Sequence, residues 1–298
     1  MDKASELAIV RRAYAKQILA AAGVAAAGIE SAFAAIPREQ FLGPGPWKMY
    51  RFSAASFGSY GATPEANPVY VYVDQVVGLV PERGINNGQP SLHAMLIASA
   101  QIQSGEHVIH VGAGTGYYSA IMAQLVGPTG RVTAVECDPA LAERARECLS
   151  EISNVTVVEA DGAAARLDAA DVIYVNAGVT HPASPWLDEL ADGGRLIIPL
   201  TTNANFPVPG SVFDPVKAMR SGAYFKIQRR GPVFESRGLL PTMIIPAHGR
   251  ARDEANERAL AEAFAKGGWH RVAKLVRAED LPEDKCWLRG SGWSLTYD

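Results

Sequence analysis

A chain of 298 residues, 48% hydrophobic and 20% charged, has the makeup of a folded globular protein and the length for one large domain or two modest ones. A formal net charge of -3 offers no electrostatic attraction to nucleic acid or to an anionic membrane surface, so neither is expected as a partner. Cys137, Cys148 and Cys286 fit neither a metal spacing nor a paired disulfide framework, which points to reduced thiols in a cytoplasmic protein.

Residues 1–43 read as two short helices joined near Gly23 and broken at Pro37 and at Gly43-Pro44-Gly45-Pro46. Arg11-Arg12 ahead of an alanine-rich run imitate a targeting leader, but Lys16 interrupts the run and Glu30 and Pro37-Arg38-Glu39 follow it. No stretch is long and apolar enough to span a bilayer. Residues 44–90 are rich in Gly, Pro, Ser and Asn, with one strand expected at Val69–Val73. The spacing then predicts a helix over Leu92–Ile102 and a strand at His107–Val111.

From there strands and helices alternate. Arg131–Glu136, Val155–Glu159, Asp171–Val175 and Arg195–Leu200 are strand-like, with helices expected at Tyr117–Val126, Pro139–Ser150 and Ser184–Ala191. Such alternation implies right-handed βαβ units and an open parallel sheet. Ala223–Arg229 and Thr242–Pro246 read as an antiparallel hairpin at the sheet edge. The last part, 252–298, reads as a charged, alanine-rich helix and two short strands, with Trp269, Trp287 and Trp293 as packing anchors.

The strongest local signal is His110-Val-Gly-Ala-Gly-Thr-Gly-Tyr-Tyr118, where a strand ends, three glycines alternate and a helix begins. Glycines permit a sharp turn and close backbone approach, and a helix N-terminus presents N–H groups to an anion. Dinucleotide folds use G-x-G-x-x-G. Here Gly112, Ala113, Gly114, Thr115 and Gly116 form the tighter rhythm of S-adenosylmethionine-dependent methyltransferases, which wrap the methionine end of that cofactor. Glu136 ends the next strand, where a carboxylate can accept both ribose hydroxyls. Asp161 and Gly162 follow the third strand, where a carboxylate and a backbone N–H can meet the adenine edge. The resulting fold class is α/β: a Rossmann-like methyltransferase fold with a mostly parallel seven-stranded sheet and an antiparallel edge hairpin.

With these motifs goes a run of others in fixed order. They are Ile36-Pro-Arg-Glu-Gln-Phe41, Gln89-Pro-Ser-Leu-His-Ala94, Asn154-Val155, Ala177-Gly178 and Gly193-Gly-Arg-Leu-Ile-Ile-Pro199. In these segments the chain, up to about Gly249, resembles the protein-L-isoaspartate O-methyltransferase family. The resemblance implies S-adenosyl-L-methionine as cofactor and a carboxylate as methyl acceptor, on a protein, peptide or small molecule. It also implies that His93 and Cys137 line the cofactor with the glycine turn, Glu136, Asp161 and Gly162. The corresponding division is 1–90 as N-terminal helices and substrate-side cap, 91–250 as cofactor-binding core and 251–298 as an appendage. Oligomeric state is not legible.

The stretch Gly84-Ile-Asn-Asn-Gly-Gln-Pro-Ser-Leu-His93 reads as a connector that also roofs the space between cofactor and acceptor. Typical family members carry a catalytic hydroxyl where this chain has Gly88. Asn87 and Ser91, with Asn86, are the candidate replacements, and Gly88→Ser is expected to restore some isoaspartyl activity if only that hydroxyl is missing. His110 stands where many methyltransferases have an acidic residue. His107 and His110 point to opposite faces of a strand, so no metal is expected there. His181 is a loop residue near the substrate side or on the surface. Two other readings remain: a non-catalytic S-adenosylmethionine-binding or interaction module, favoured by Gly88 and His110, and a nicotinamide-dependent oxidoreductase, disfavoured by the glycine spacing.

Overall fold

In the computed structural model, residues 2–51, 59–205, 214–277 and 281–298 are described. The chain divides into two compact units of interleaved segments. One comprises Met1–Glu106, Ala113–Ala134 and Asp138–Val158; the other comprises His107–Gly112, Val135–Cys137 and Glu159–Asp298.

The first unit opens with helices Lys3–Ala21 and Ala27–Ala35, joined through Gly23 at φ +65°. The Asp2 carboxylate caps the first by accepting the Ser5 N–H at 2.9 Å. Tyr14, Ala15, Ile18 and Leu19 form its buried stripe. The segment expected as a strand at Val69–Val73 is instead a 3-10 turn, Pro68–Val71. Its carbonyls do not enter a ladder. The buried Arg38 guanidinium collects them, Nη1 donating to Val71 O (2.7 Å) and Val73 O (2.9 Å), and Nη2 to Gln75 O (2.7 Å). Helix Pro90–Ala100 follows, with Pro at its first position, and Tyr117–Val126 and Pro139–Leu149 complete the helical set.

The main sheet has ten strands among the described residues, not seven. From one edge the order is Cys286–Arg289, Ser294–Thr296, Lys274–Val276, Val233–Pro241, Gly222–Arg230, Leu190–Thr201, Ala170–Val175, His107–Val111, Arg131–Glu136 and Val155–Glu159. Six of the expected strands lie at the far end of that list, Val233–Pro241 stands where a seventh was expected, and strands from the C-terminal segment add the other three. His107–Val111 pairs parallel with Ala170–Val175, which pairs parallel with Leu190–Thr201. Between His107–Val111 and Ala170–Val175 the strand order reverses direction, which creates the crevice where open α/β sheets bind ligands.

The edge hairpin exists, but the partner of Gly222–Arg230 is Val233–Pro241 and not Thr242–Pro246. Thr242–Pro246 forms no strand: Thr242 N–H donates to Gly222 O at 3.0 Å, and Pro246 makes a bridge to Gly178. The expected helix Ser184–Ala191 is shorter, Ser184–Asp188, because the next strand already begins at Leu190. In the C-terminal segment, helix Glu254–Lys266 and the buried Trp287 and Trp293 pack as anchors. The Trp287 ring lies 5.2 Å from Phe264 and 5.5 Å from Phe225, centroid to centroid.

Candidate active site

The second unit contains a pocket at the carboxyl ends of its central strands, with about 380 Å³ of free space partly open to solvent. Four of the sequence-predicted cofactor residues line it: Gly112, Cys137, Asp161 and Gly162. The remaining walls are mostly apolar, including Val111, Val175, Ala177 and the Trp186 ring, a slot suited to a flat heterocycle with one polar edge. Gly162 is needed as built, since a Cβ there would sit 2.5 Å from Val111 Cγ1. Its carbonyl accepts the Trp186 Nε1–H at 2.8 Å, which fixes the indole wall.

Asp161 is the pocket's carboxylate. Its Oδ1 accepts the Ala163 N–H at 3.0 Å and its Oδ2 accepts the Arg250 N–H at 2.9 Å. Each oxygen keeps a second lone pair for a ligand. The contact with Arg250 shows a wall that sequence reading missed. The segment Ala247–Ala251 folds along the pocket, contributing Ala247, His248 and Ala251 to its lining. It is tied to the loop after Ala170–Val175 by Ala247 N–H to Gly178 O (2.8 Å) and Thr180 N–H to Ala251 O (3.0 Å). Arg252 locks it, donating to Gly178 O at 2.9 Å and to Glu257 Oε2 at 2.8 Å. The signal in the sequence was Gly249, at φ +82°, whose absent side chain makes room for the Asp161 carboxylate.

Glu136 ends its strand buried, with its carbonyl accepting the Ala160 N–H at 3.0 Å. The adjoining Cys137 is exposed at its surface, yet desolvation by its surroundings, and then the Glu136 carboxylate, push its thiol up to about 11, so it remains protonated at neutral pH. His110 is fully buried, and desolvation lowers it to about 3. The imidazole is therefore neutral at physiological pH. His107 bonds through Nδ1 with Ala169 O at 2.8 Å, and no cluster of metal-ligating side chains occurs among the described residues. His181 lies 3.2 Å from Asp253 Oδ2, yet burial lowers its pKa against that attraction.

The glycine turn has the strained conformation its sequence implies. Gly112, Gly114 and Gly116 lie at φ +75°, +57° and +92°. A Cβ on Gly116 would approach Leu149 Cδ1 to 2.5 Å, whereas one on Gly114 would meet only Leu79, at 3.7 Å. Ala113 is buried, and the buried Thr115 hydroxyl donates its proton to Phe41 O at 2.7 Å, so that proton is not available to a ligand.

The residues expected on the acceptor side lie in the first unit. Ser91 donates its N–H to Asp74 Oδ1 (2.8 Å), and Gln89 Nε2 bridges Asp74 Oδ2 (3.1 Å) and Ser91 Oγ (3.3 Å). Asn87 is buried; its Oδ1 accepts the Val77 N–H at 3.1 Å and Arg38 Nη2 at 3.3 Å. Gly88 has φ +71°, and His93 is buried with its ring stacked on Tyr118 at 3.6 Å and 14°. A Cβ on Gly88 would overlap His93 Nε2 and lie 2.9 Å from Cδ2. This bears on the expected rescue by Gly88→Ser: the imidazole stands in the space a side chain would take, and the backbone angle disfavours one.

With that geometry in place, comparison with known proteins is decisive. The family model described as Protein-L-isoaspartate(D-aspartate) O-methyltransferase matches residues 15–209, more than half of the chain. The chain belongs to this family. A Thermotoga maritima protein-L-isoaspartate O-methyltransferase is 30% identical over 263 residues, covering 86% of this chain and 71% of that relative. An Ignicoccus hospitalis relative of the same name is 39% identical over 123 residues, covering 40% of this chain and 58% of its own length. The chain thus spans little more than half of some curated relatives it matches. Among solved structures, a protein-L-isoaspartate O-methyltransferase superposes with TM-score 0.60 at 27% identity, covering 81% of this chain and 67% of that one. A Plasmodium falciparum candidate for the same enzyme, solved with S-adenosyl-L-homocysteine, superposes with TM-score 0.60 over 80% of this chain and 99% of its own. At 15% identity it speaks for the α/β methyltransferase fold alone.

Proposed function

We propose that this protein is an S-adenosyl-L-methionine-dependent O-methyltransferase that esterifies a carboxylate on a protein or peptide, in the manner of its family. The observation that carries the reading is the pocket at the strand-order reversal, where Gly112, Asp161, Gly162 and an apolar slot converge. When bound, the cofactor would supply an electrophilic sulfonium methyl group. Gly112–Gly116 would hold its methionine end, Glu136 its ribose hydroxyls, and Asp161 with Gly162 the adenine edge. His93 and Cys137 would complete that lining.

An acceptor carboxylate has an ordinary pKa near 4 and is already anionic at neutral pH, so the protein need not remove a proton from it. Its residues have two tasks, to hold the carboxylate in line and to keep water out. Asn87 and Ser91 are the proposed acceptor contacts. Residues 1–90 serve as cap, 91–250 as cofactor core and 251–298 as appendage, in a cytoplasmic setting. Among the described residues no helix is long and apolar enough to cross a membrane.

Calorimetry with S-adenosylhomocysteine and with NADH tests the cofactor; heat with the first and none with the second is expected. Methyl ester formation on an isoaspartyl peptide, against its ordinary aspartyl counterpart, tests the acceptor. One observation favours a second reading. Gly88, in the family's hydroxyl position and closed off by His93, suits a cofactor-binding module without transfer activity, and cofactor binding with no ester on any carboxylate peptide would establish it.

A further inference from the structure

Two neighbouring observations in the first unit remain unused by the family pattern. Arg38 is fully buried and spends its guanidinium on one stretch of chain, taking the carbonyls of Val71, Val73 and Gln75 and the side chain of Asn87. Asn87 is held twice more by Val77: its N–H donates to Val77 O at 3.0 Å, and its Oδ1 accepts the Val77 N–H at 3.1 Å. Two donors on Oδ1 fix which end of the amide is oxygen. The other end, Nδ2, is buried and has no hydrogen-bond partner.

An amide N–H₂ shut away from water without an acceptor is destabilising, and such groups in a native fold call for an explanation. Here the group sits one residue before Gly88, on a segment whose flanks Asn86, Gly88 and Gln89 are half-exposed. Gly88 itself can offer no side chain, because His93 fills the space.

We infer that Arg38 is a positioning residue that fixes the Asn87 amide, and that Asn87 Nδ2–H donates to the non-reacting oxygen of the acceptor carboxylate. The inference rests on the proposed methyl transfer and adds the chemistry of its acceptor subsite. An amide donor suits an anion, and holding one oxygen leaves the other free to take the methyl group. A buried amide fixed by a guanidinium also loses little rotamer freedom when the acceptor arrives.

Asn87→Asp is the sharp test, because it keeps Oδ1 for Val77 and Arg38 while turning the donor into a charged acceptor. Thermal stability and S-adenosylhomocysteine affinity should match the wild type. The kcat/KM for an isoaspartyl peptide should fall roughly 100-fold, mostly through KM, as expected for a lost hydrogen bond to a charged group replaced by repulsion. Arg38→Lys, which keeps the charge but not the fork, should fall by about 10-fold with the same cofactor affinity. Unchanged kinetics in folded Asn87→Asp would overturn the inference. A second readout is independent of turnover. In the S-adenosylhomocysteine complex of the wild type, the side-chain amide NMR signals of Asn87 should shift on titration with isoaspartyl peptide. Signals that stay in place at the highest soluble peptide concentration overturn the inference, whether or not ester forms. Shifted signals without ester leave it standing and overturn the transfer reading instead.

Discussion

Gly88→Ser turns the most conspicuous departure from the family into a measurable quantity. A side chain at φ +71° costs about 1–2 kcal/mol for the left-handed backbone alone. Its Cβ would also overlap His93 Nε2, and the ring cannot swing aside freely, being buried and stacked 3.6 Å from Tyr118. Overpacking of this kind adds about 1–3 kcal/mol. A net loss of about 3 kcal/mol is therefore expected, which lowers Tm by roughly 6–12 °C in a chain of this size. The assay is scanning calorimetry of the wild type, Gly88→Ser, His93→Ala and the double variant. If the clash is real, the serine should cost less in the His93→Ala background, the difference being its coupling to the imidazole. Gly88→Ser alone should gain no isoaspartyl methylation. A serine variant as stable as the wild type, or one equally costly in both backgrounds, would refute the steric argument.

Two further outcomes follow from the second unit. Gly249→Ala places a Cβ over Asp161 Oδ2 and 2.7 Å from its Cγ, at φ +82°. Displacing that carboxylate should weaken S-adenosylhomocysteine binding by about 10-fold, roughly 1.4 kcal/mol, and unchanged affinity by calorimetry would remove Asp161 from the cofactor site. His110, buried and lowered to about 3, takes up a proton more readily in the unfolded chain, where its pKa is near 6.5. Its contribution is therefore complete above pH 6.5 and is lost as pH falls toward 3, at up to about 1.4 kcal/mol per pH unit. Urea unfolding at a series of pH values should show the wild type losing its lead over His110→Gln on acidification through that window. Parallel pH profiles would mean that His110 is not buried neutral.

Much of the core was legible because its signals are local. His107–Val111 and Ala170–Val175 are runs of branched residues paired on both sides, and the glycine turn carries its positive φ angles in its composition. The failures were decided at a distance. Val69–Val73 has strand propensity, but Arg38, more than thirty residues upstream, captures its carbonyls, and Pro68 with Asn67 starts a turn. Thr242–Pro246 is the more apolar run, yet the strand is Val233–Pro241. Its register buries only Phe234 and Ser236, and Gly238 interrupts it so that Trp269 can pack where a Cβ would come within 2.5 Å. Asn87 and Ser91 were legible as polar residues near Gly88, but nothing local foretells that Arg38 and Asp74 hold them. The pocket wall at Ala247–Ala251 has only Gly249 as a local mark, because it lacks regular periodicity and depends on loop-to-loop hydrogen bonds.

The three strands added by the C-terminal segment bear on how the edge of the sheet is closed. Val233–Pro241 is nine residues long, and without a neighbour it would present a row of open N–H and C=O groups, a ready template for another molecule's strand. Lys274–Val276 occupies it at Phe234 and Glu235, and the sheet then ends in strands of three and four residues, with Arg289 on the last. Short, charged margins pair poorly with strangers. The appendage thus acts as a selvedge on the fabric of the sheet, and a version of the chain cut before Lys274 would be expected to associate edge to edge, even with its cofactor pocket intact.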